Sequence, residues 1–454
     1  MCINIKNRRN LYMVTDRKVA IEVLDAVFLK NAYSNIALNN ALNKYKLNEK
    51  DKAFITELVY GTIKYRHTID TILNSYIKKG IKSVDKYVLN ILRIGIYQLR
   101  YLDKVPSFAA VNECVELGKV KSKGTGKLIN GVLRNYIRNK DPKYYDESNL
   151  VEKLSFEYSY PKWMIDLFLK QYGREKIEEI LKGLNSIPSI TVRVNNIKSD
   201  YESVWNSLED NNYNIEEGLV CPEAIRIIKG RAIEKNPLFK EGLITVQDES
   251  AMLVAGAMDL EDNMNVMDLC SAPGGKTTHI SEIMNNTGKV LAFDIHENKL
   301  DLIKQNKERL GVKNIDLILG DGTLYNKKYS EFANRILIDA PCSGLGIIRK
   351  KPEIKYTKSA KDLKSIVHIQ RKILENGAKY LKKNGILLYS TCTLNKKENI
   401  ENVKWFLKEF PNFKIEKIFL GNLDNFIYDE YGTLTILPNE YMDGFYIAKF
   451  KKQR

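Results

Sequence analysis

Between residues 15 and 139 apolar side chains recur at helical spacing, as in Val19, Val23 and Val27 and again in Leu58, Ile63, Ile69 and Leu73. A repeat of three to four residues lines up one apolar stripe per helix, so this region is expected to be all-helical. Glycine and proline are few there and fall between elements, at Gly61, Gly80 and Pro106. Pro106 sets the start of a helix within VPSFAAVNECVELGK (105–119), whose apolar face carries Val111, Cys114 and Val115. Cys114 reads as core packing, because a buried free cysteine behaves as a small hydrophobe. The stretch DPKYYDESNL (141–150) is polar and aperiodic, and places the first boundary, giving a helical domain over 1–140.

Beyond it, a helix around 161–184, a strand at ITVRVN (190–195), a helix near 199–210 and apolar runs at 224–228 and 243–247 describe a small α/β module over 141–240. It has too few residues for a large core and is expected to pack against the C-terminal region. From residue 241 to 454 strands and helices alternate. Strands are expected at VMDLC (266–270), KVLAFDI (289–295), IDLILGD (315–321), RILIDA (335–340) and ILLYSTC (386–392), with helices near 275–285, 297–310, 360–382 and 396–409. Short apolar runs without alternation, separated by amphipathic helices, indicate parallel strands covered on both faces. TLTIL (433–437) and GFYIAKF (444–450) close the chain as an antiparallel pair. In such a doubly wound sheet a ligand sits beyond the carboxyl ends of the strands.

The chemically suggestive residues fall at those ends. DLCSAPGGKTT (268–278) looks like a phosphate loop, yet Cys270 stands where a P-loop requires glycine, and the adjacent pair Gly274 and Gly275 does not make a G-x-G-x-x-G fingerprint. A glycine turn opening a helix still offers backbone N–H groups and a dipole to a carboxylate. Asp294, 19 residues beyond Gly275, suits ribose hydroxyls, and Asp321 could reach an adenine edge or an amine. A carboxylate, an amine, a ribose and an adenine without phosphate are combined in S-adenosyl-L-methionine. DAPCSG (339–344) and STCT (390–393) each add a thiol, Cys342 and Cys392, just past a central strand. Carbon 5 of a pyrimidine becomes nucleophilic when a thiolate adds to carbon 6, so paired thiols beside a methyl donor point to covalent catalysis. Asp339 is suitably placed to stabilise charge developing on the ring. Lys276 has two roles open to it, packing over the turn or a polar contact near the target base. The residues by themselves do not choose which cysteine attacks.

Composition narrows the partners. Lys and Arg number 72 against 56 Asp and Glu, a net charge of +16, which suits a polyanion. No run of about 18 apolar residues exists, and MCINIKNRRN lacks the apolar core of a signal peptide, so a cytoplasmic protein without membrane attachment is expected. The six cysteines (2, 114, 221, 270, 342 and 392) contain no C-x-x-C pair, and His279, His296 and His368 lack metal-like spacing. No metal is expected. The histidines read as surface or capping residues, His67 shows no partner, and nothing suggests other than a monomer.

At these residues the chain resembles the RNA cytosine-C5 methyltransferases of the Nol1/Nop2/Sun family. DLCSAPGGKTTHI is similar to the family's cofactor motif, DAPCSGLGIIRKKPEIK to its fourth motif and YSTCTL to its sixth; FKEGLITVQDESAMLVA (239–255) and DGFYIAKF are also similar to family segments. VPSFAAVNECVELGK resembles the NusB-type RNA-binding domain fused to one bacterial branch. The resemblance implies a NusB-like helical domain, a small α/β module and a Rossmann-like methyltransferase domain using S-adenosyl-L-methionine. It implies 16S rRNA, or an early small-subunit particle, as partner, and methylation of a cytosine of the position-967 type. It makes Cys392 the nucleophile and Cys342 the residue that assists product release. The binding set it implies is Cys270, Ser271, Ala272, Pro273, Gly274, Gly275 and Lys276, with Asp294, Asp321 and Asp339. Ser271 and Thr393 replace the family's common alanine and serine. Another RNA, such as tRNA, as substrate and a non-catalytic RNA-binding factor are the alternatives.

Overall fold

A computed structural model describes residues 15–139 and 142–453. The N-terminal segment with Cys2, and residues 140 and 141 at the expected first boundary, lie outside the described residues. The chain forms two compact units, one running up to Lys170 and including Lys351–Thr357, the other Gln171–Lys350 with the chain from Lys358 onward.

The first unit is helical, as the apolar spacing requires. It contains α1 (Asp16–Lys30), α2 (Ser34–Lys44), α3 (Glu49–Lys64), α4 (Arg66–Tyr76), α5 (Lys86–Tyr101), α6 (Ser107–Lys121), α7 (Lys123–Arg138) and α8 (Leu150–Tyr158). Side chains of Thr15, Asn48, Asp85 and Ser122 cap α1, α3, α5 and α7 by accepting from backbone N–H groups of the first turn. Helix α5 buries Val88, Leu89, Ile91, Leu92, Ile94 and Ile96 around its circumference, and a helix apolar on all sides becomes the centre of its bundle. Gly95 lets α6 and α7 approach it: a Cβ there would meet the Leu133 side chain at 2.8 Å. Cys114 packs beside it, fully buried, and burial pushes its thiol up to about 12. The inert core role expected for it is what the structure shows. His67, expected to be unpartnered, instead has Ser155 Oγ 2.9 Å from its Nε2.

The segment Lys351–Thr357 is built into this helical unit. Glu353 accepts from Ser34 N (3.1 Å) and Ser34 Oγ (2.7 Å), capping α2 with a carboxylate from far along the chain. Lys355 is buried and donates to the carbonyls of Lys64 and Ser159, both at 3.1 Å, with its ammonium 3.6 Å from the Tyr160 ring centroid. Tyr356 Oη accepts from His67 N at 3.1 Å.

The second unit carries two sheets. The smaller is antiparallel, with β1 (Ile190–Val194), β2 (Asn214–Glu217), β3 (Ala224–Lys229) and β4 (Ile244–Val246) in the order β2-β3-β1-β4. It forms a small α/β module of the kind expected from the sequence, although its strand β4 lies beyond residue 240, where that module was expected to end. The larger sheet holds β5 (Asn265–Asp268), β6 (Lys289–Asp294), β7 (Ile315–Leu319), β8 (Ala333–Asp339), β9 (Leu381–Thr391), β10 (Phe413–Glu416), β11 (Phe426–Tyr428), β12 (Leu434–Ile436) and β13 (Phe445–Lys452). Its order is β11-β12-β13-β9-β8-β5-β6-β7, with β10 also paired to β13. Strands β5 to β9 are parallel and β13 runs antiparallel to β9. The expected closing pair exists as β12 and β13. The order reverses between β5 and β8, which opens a crevice at their carboxyl ends. Among the described residues no helix is long and apolar enough to cross a membrane.

Candidate active site

The turn after β5 is built by its own polar groups. Asp268, the last residue of β5, is buried; its carboxylate accepts from Thr277 Oγ1 at 2.7 Å and Cys270 N at 3.3 Å, tying the strand to the first turn of the helix Gly275–Ile283. Ser271 Oγ donates to Asp268 O (2.8 Å), and Gly274 N to Ser271 O (2.8 Å). Gly274 has φ 101°, a left-handed conformation that favours glycine, and a Cβ would stand 3.1 Å from Ile303. Ala272 and Pro273 lie inside this turn. Burial pushes the Asp268 carboxyl up to about 7, with the Asp339 charge adding to it. Sequence reasoning had passed over Asp268.

Two further carboxylates stand at strand ends. Asp294 ends β6 and accepts from His296 N at 2.9 Å, with Lys299 Nζ 3.9 Å away. Asp321, beyond β7, accepts from Thr323 N and Thr323 Oγ1 at 2.8 and 2.7 Å, so that the three hydrogen bonds at the two residues all fall on Oδ1. Ile295 follows Asp294 with an exposed apolar side chain.

At the end of β8, Asp339 is held between two partners: Lys276 Nζ at 2.7 Å from Oδ2 and Ser390 Oγ at 2.8 Å from Oδ1. Burial acts to neutralise Lys276, but the Asp339 charge outweighs it and holds the ammonium above its ordinary range. The same ammonium lies 5.0 Å from the Phe445 ring centroid. Of the two roles open to Lys276 in the sequence, the polar one is occupied by Asp339.

The two thiols meet. Cys342 Sγ and Cys392 Sγ are 3.1 Å apart, although 50 residues separate them. The Cys392 sulfur, together with burial, pushes the Cys342 thiol well above its usual range, which favours its protonated form. Their loops are fixed from below by Glu398, which is fully buried. It accepts from Ser343 N (2.9 Å), Ser343 Oγ (2.5 Å), Gln370 Nε2 (3.1 Å) and Asn395 Nδ2 (2.9 Å). Ser343 Oγ and Thr393 Oγ1 are 2.7 Å apart, and Gly346 N donates to Cys392 O at 2.9 Å. A Cβ on Gly346 would collide with Gly444 O, so the Cys342 loop, the Cys392 loop and the start of β13 approach backbone to backbone.

Two further ion-pair clusters lie in the second unit, and neither was legible in the sequence. Arg193 of β1, with no exposed surface, reaches Glu282 at 3.0 and 2.7 Å, Gly275 O at 2.9 Å and Gln247 Oε1, so it ties the small sheet to the helix that follows the glycine turn. Arg349 and Lys350 are held by Asp248 and Asp443, with Arg349 Nε to Asp443 Oδ1 at 2.7 Å and Lys350 Nζ to Asp248 Oδ2 at 2.8 Å. The charges of Lys350 and Arg349 overcome burial to hold Asp248 well below the usual carboxylate range. His279, expected at the surface or in a cap, is buried instead and pairs through Nε2 with Glu223 at 3.1 Å; burial lowers its pKa. Among the described residues no group of three or more His, Cys, Asp and Glu could hold a metal ion.

A parallel sheet in this order, with a glycine turn opening a helix at β5 and acidic residues ending β6 and β8, defines a Rossmann-like, S-adenosyl-L-methionine-dependent methyltransferase. The donor set fits that cofactor: an N-terminal helix turn stripped of side chain at Gly274 and Gly275, carboxylates at Asp294 and Asp321 with Oδ2 left to hydrogen-bond a ligand, and an apolar edge at Ile295. Residues 255–451 match the family model described as 16S rRNA methyltransferase RsmB/F, residues 14–138 the NusB family, and residues 160–234 a ferredoxin-like domain of RsmF/B-like methyltransferases. The chain is 37% identical to the probable ribosomal RNA small subunit methyltransferase B of Bacillus subtilis, over 96% of this chain and 98% of that protein. It is similar to the crystal structure of PH0851 (TM-score 0.83, 26% identity, 96% of this chain and 99% of that one). It is also similar to a methyltransferase homolog protein from Pyrococcus horikoshii (TM-score 0.60, 28% identity, 68% and 99%). The chain belongs to the RsmB/F family of methyltransferases.

Proposed function

We propose that this protein methylates carbon 5 of a cytosine in 16S rRNA, of the position-967 type, through a covalent adduct with Cys392. The observation that carries the reading is the pair of sulfurs 3.1 Å apart at the ends of β8 and β9, beside the Lys276–Asp339 pair. Bound S-adenosyl-L-methionine supplies a methyl group on a sulfonium, held by Cys270 to Gly275, Asp294 and Asp321. The work of this chain's own residues is on the base. The Cys392 thiolate adds to carbon 6 of the flipped cytosine, and the electron pair so released makes carbon 5 nucleophilic toward the methyl. Lys276, ion-paired with Asp339 at 2.7 Å, brings a positive charge to the same strand ends as the attacking thiolate. Asp339, oriented by Lys276 and Ser390, accepts a hydrogen bond from the exocyclic amine of the cytosine and so fixes the edge of the ring. A base, water among the candidates, takes the carbon-5 proton; the C–H electron pair restores the ring double bond, the sulfur leaves with the C–S pair, and Cys342, in contact with Cys392, assists that release.

The helical domain 1–140 and the module 141–240 would grip the RNA backbone for the catalytic domain 241–454, in keeping with a net charge of +16. Cys392→Ala is expected to abolish transfer of tritiated methyl to 16S rRNA while leaving cofactor binding intact. Cys342→Ala is expected to trap RNA on the protein as a denaturant-stable band. A Cys392→Ala variant that still turned over would remove the covalent reading; methyl transfer to tRNA in place of rRNA would remove the substrate. Bisulfite sequencing of rRNA from cells lacking the protein reads the position.

A further inference from the structure

A cavity of about 520 Å³ lies in the second unit, beyond the loop that carries Cys392, and no step of the proposed reaction uses it. Tyr172, Lys176, Lys396, Lys404, Tyr431 and Tyr446 contribute to its lining. Its chemistry is cation over aromatic ring: Lys396 Nζ stands 4.8 Å from the Tyr172 centroid and Lys404 Nζ 5.3 Å from that of Tyr431. Neither lysine forms an ion pair with a carboxylate among the described residues. The acids at the rim are otherwise engaged or open to solvent. Asp429 accepts from Thr433 N (3.0 Å) and Thr433 Oγ1 (2.6 Å), Lys176 is paired with Glu179 at 2.7 Å, and Glu430 is exposed. At the floor, the buried Tyr446 hydroxyl makes no hydrogen bond of ordinary geometry, its neighbour Thr433 being turned to Asp429. A buried phenol left without a partner costs free energy that a ligand's polar group would recover.

The cavity is continuous with the catalytic loop. Tyr172 Oη donates to Leu394 O (2.6 Å), Gln171 Nε2 to Asn395 Oδ1 (3.0 Å) and Lys396 N to Gln171 Oε1 (2.9 Å), so the residues that form this wall also fix the chain two to four positions past Cys392. Lys396 and Asn399, four and seven residues beyond Cys392, face it as well. Aromatic faces with unpaired lysines and a buried hydrogen-bonding group are what single-stranded RNA needs: a base to stack, a phosphate to neutralise, a base or sugar edge to bond.

We propose that this cavity receives a nucleotide of the substrate RNA close along the strand to the flipped cytosine, its base against Tyr431 and its phosphate between Lys396 and Lys404. The inference rests on the RNA-methyltransferase reading and assigns that reading a second contact on the substrate. The test uses the full chain and a 16S rRNA transcript as probe, comparing wild type with Lys396→Ala/Lys404→Ala and with Tyr431→Ala. First, methyl transfer by the wild type is measured. The variants are then expected to raise KM for RNA about 10-fold while kcat stays within twofold and cofactor affinity is unchanged. The slope of log K against log salt for RNA binding should fall by roughly 0.7 per lysine removed. If the wild type methylates and the variants keep its KM and salt slope, the cavity is not an RNA subsite, and the same holds if only kcat falls. If the wild type fails to methylate rRNA, the functional reading fails on its own. In that case equilibrium binding of the same transcript still decides the cavity, a lower variant affinity and salt slope supporting it and unchanged values overturning it.

Discussion

Replacing Glu398 by Gln isolates the floor beneath the two thiols. The carboxylate accepts four hydrogen bonds, two on each oxygen, from Ser343, Gln370 and Asn395, and no water reaches it. An amide of nearly the same shape can satisfy two of the donors with its oxygen. The best orientation keeps that oxygen toward Ser343 N and Gln370 Nε2, since a backbone N–H cannot turn round. The new NH₂ then faces Ser343 Oγ, which can rotate to accept, and Asn395 Nδ2, which cannot flip without losing Asn395 Oδ1 from Gln171. One bond is thus broken and three lose their charge assistance. At about 1 kcal/mol for each weakened bond and ~2 for the broken one, less what is recovered by no longer burying a charge, the cost is on the order of 3 kcal/mol. For a cooperative unit of this size that lowers Tm by about 6–12 °C. Chemistry should suffer more than folding, because Ser343 and Asn395 carry the neighbours of both sulfurs. A shift of the reacting groups by ~1 Å costs about 100-fold in rate. Calorimetry with single-turnover methyl transfer at saturating cofactor and RNA measures both. A Tm within 2 °C of wild type and a rate within threefold would show that Glu398 does not position the thiols. Loss of cofactor affinity in proportion to rate would place its effect at the wrong site.

Two other outcomes follow from the buried charges. Arg193→Met leaves Glu282 buried without its partner, and a loss of about 3–5 kcal/mol is expected, read from the urea midpoint; because Arg193 also holds Gly275 O, cofactor affinity measured by calorimetry should fall with it. Asp268 gives the pH dependence. Its folded carboxyl is raised to about 7 from an unfolded value of 3.8, so the folded state holds the proton more tightly. Stability therefore declines as pH rises from about 4 to about 7 and is flat above, by up to about 4 kcal/mol from this group. Urea titrations across that range should show the slope in the wild type and lose it in Asp268→Asn; equal slopes would refute the assignment.

The sheet was readable because its inner parallel strands β5, β6, β8 and β9 are largely buried and so appear as apolar runs, and because a glycine turn and the strand-end acids sit at fixed offsets from those runs. The thiols were readable for the same reason: a strand that ends at Thr391 presents Cys392 whatever surrounds it. What stayed hidden were polar residues whose meaning lies in distant partners. Glu398 looks like one more charge in NKKEN, yet it bonds Ser343, 55 residues away. Arg193 interrupts an apolar strand with no local hint of Glu282, and His279 reads as a surface residue until Glu223 is brought against it. The run RKKPEIK, noted in the sequence only as part of a family-like motif, gives no local sign that Arg349, Glu353 and Lys355 are all buried. A sequence states how long a side chain is and whether it is charged; it does not state which charge will be waiting.

The same run decides how the protein can be taken apart. Because Lys351–Thr357 belongs to the helical unit, the chain passes between units three times, after Lys170, after Lys350 and after Thr357. No single cut separates them. A fragment ending at Lys170 would leave the Ser34 hydroxyl and N–H and the carbonyls of Lys64 and Ser159 without the groups that now satisfy them. In inheritance as in the test tube, the helical portion is a joint owner of the methyltransferase polypeptide, and a gene rearrangement that deleted it would also strand seven residues just downstream of Cys342.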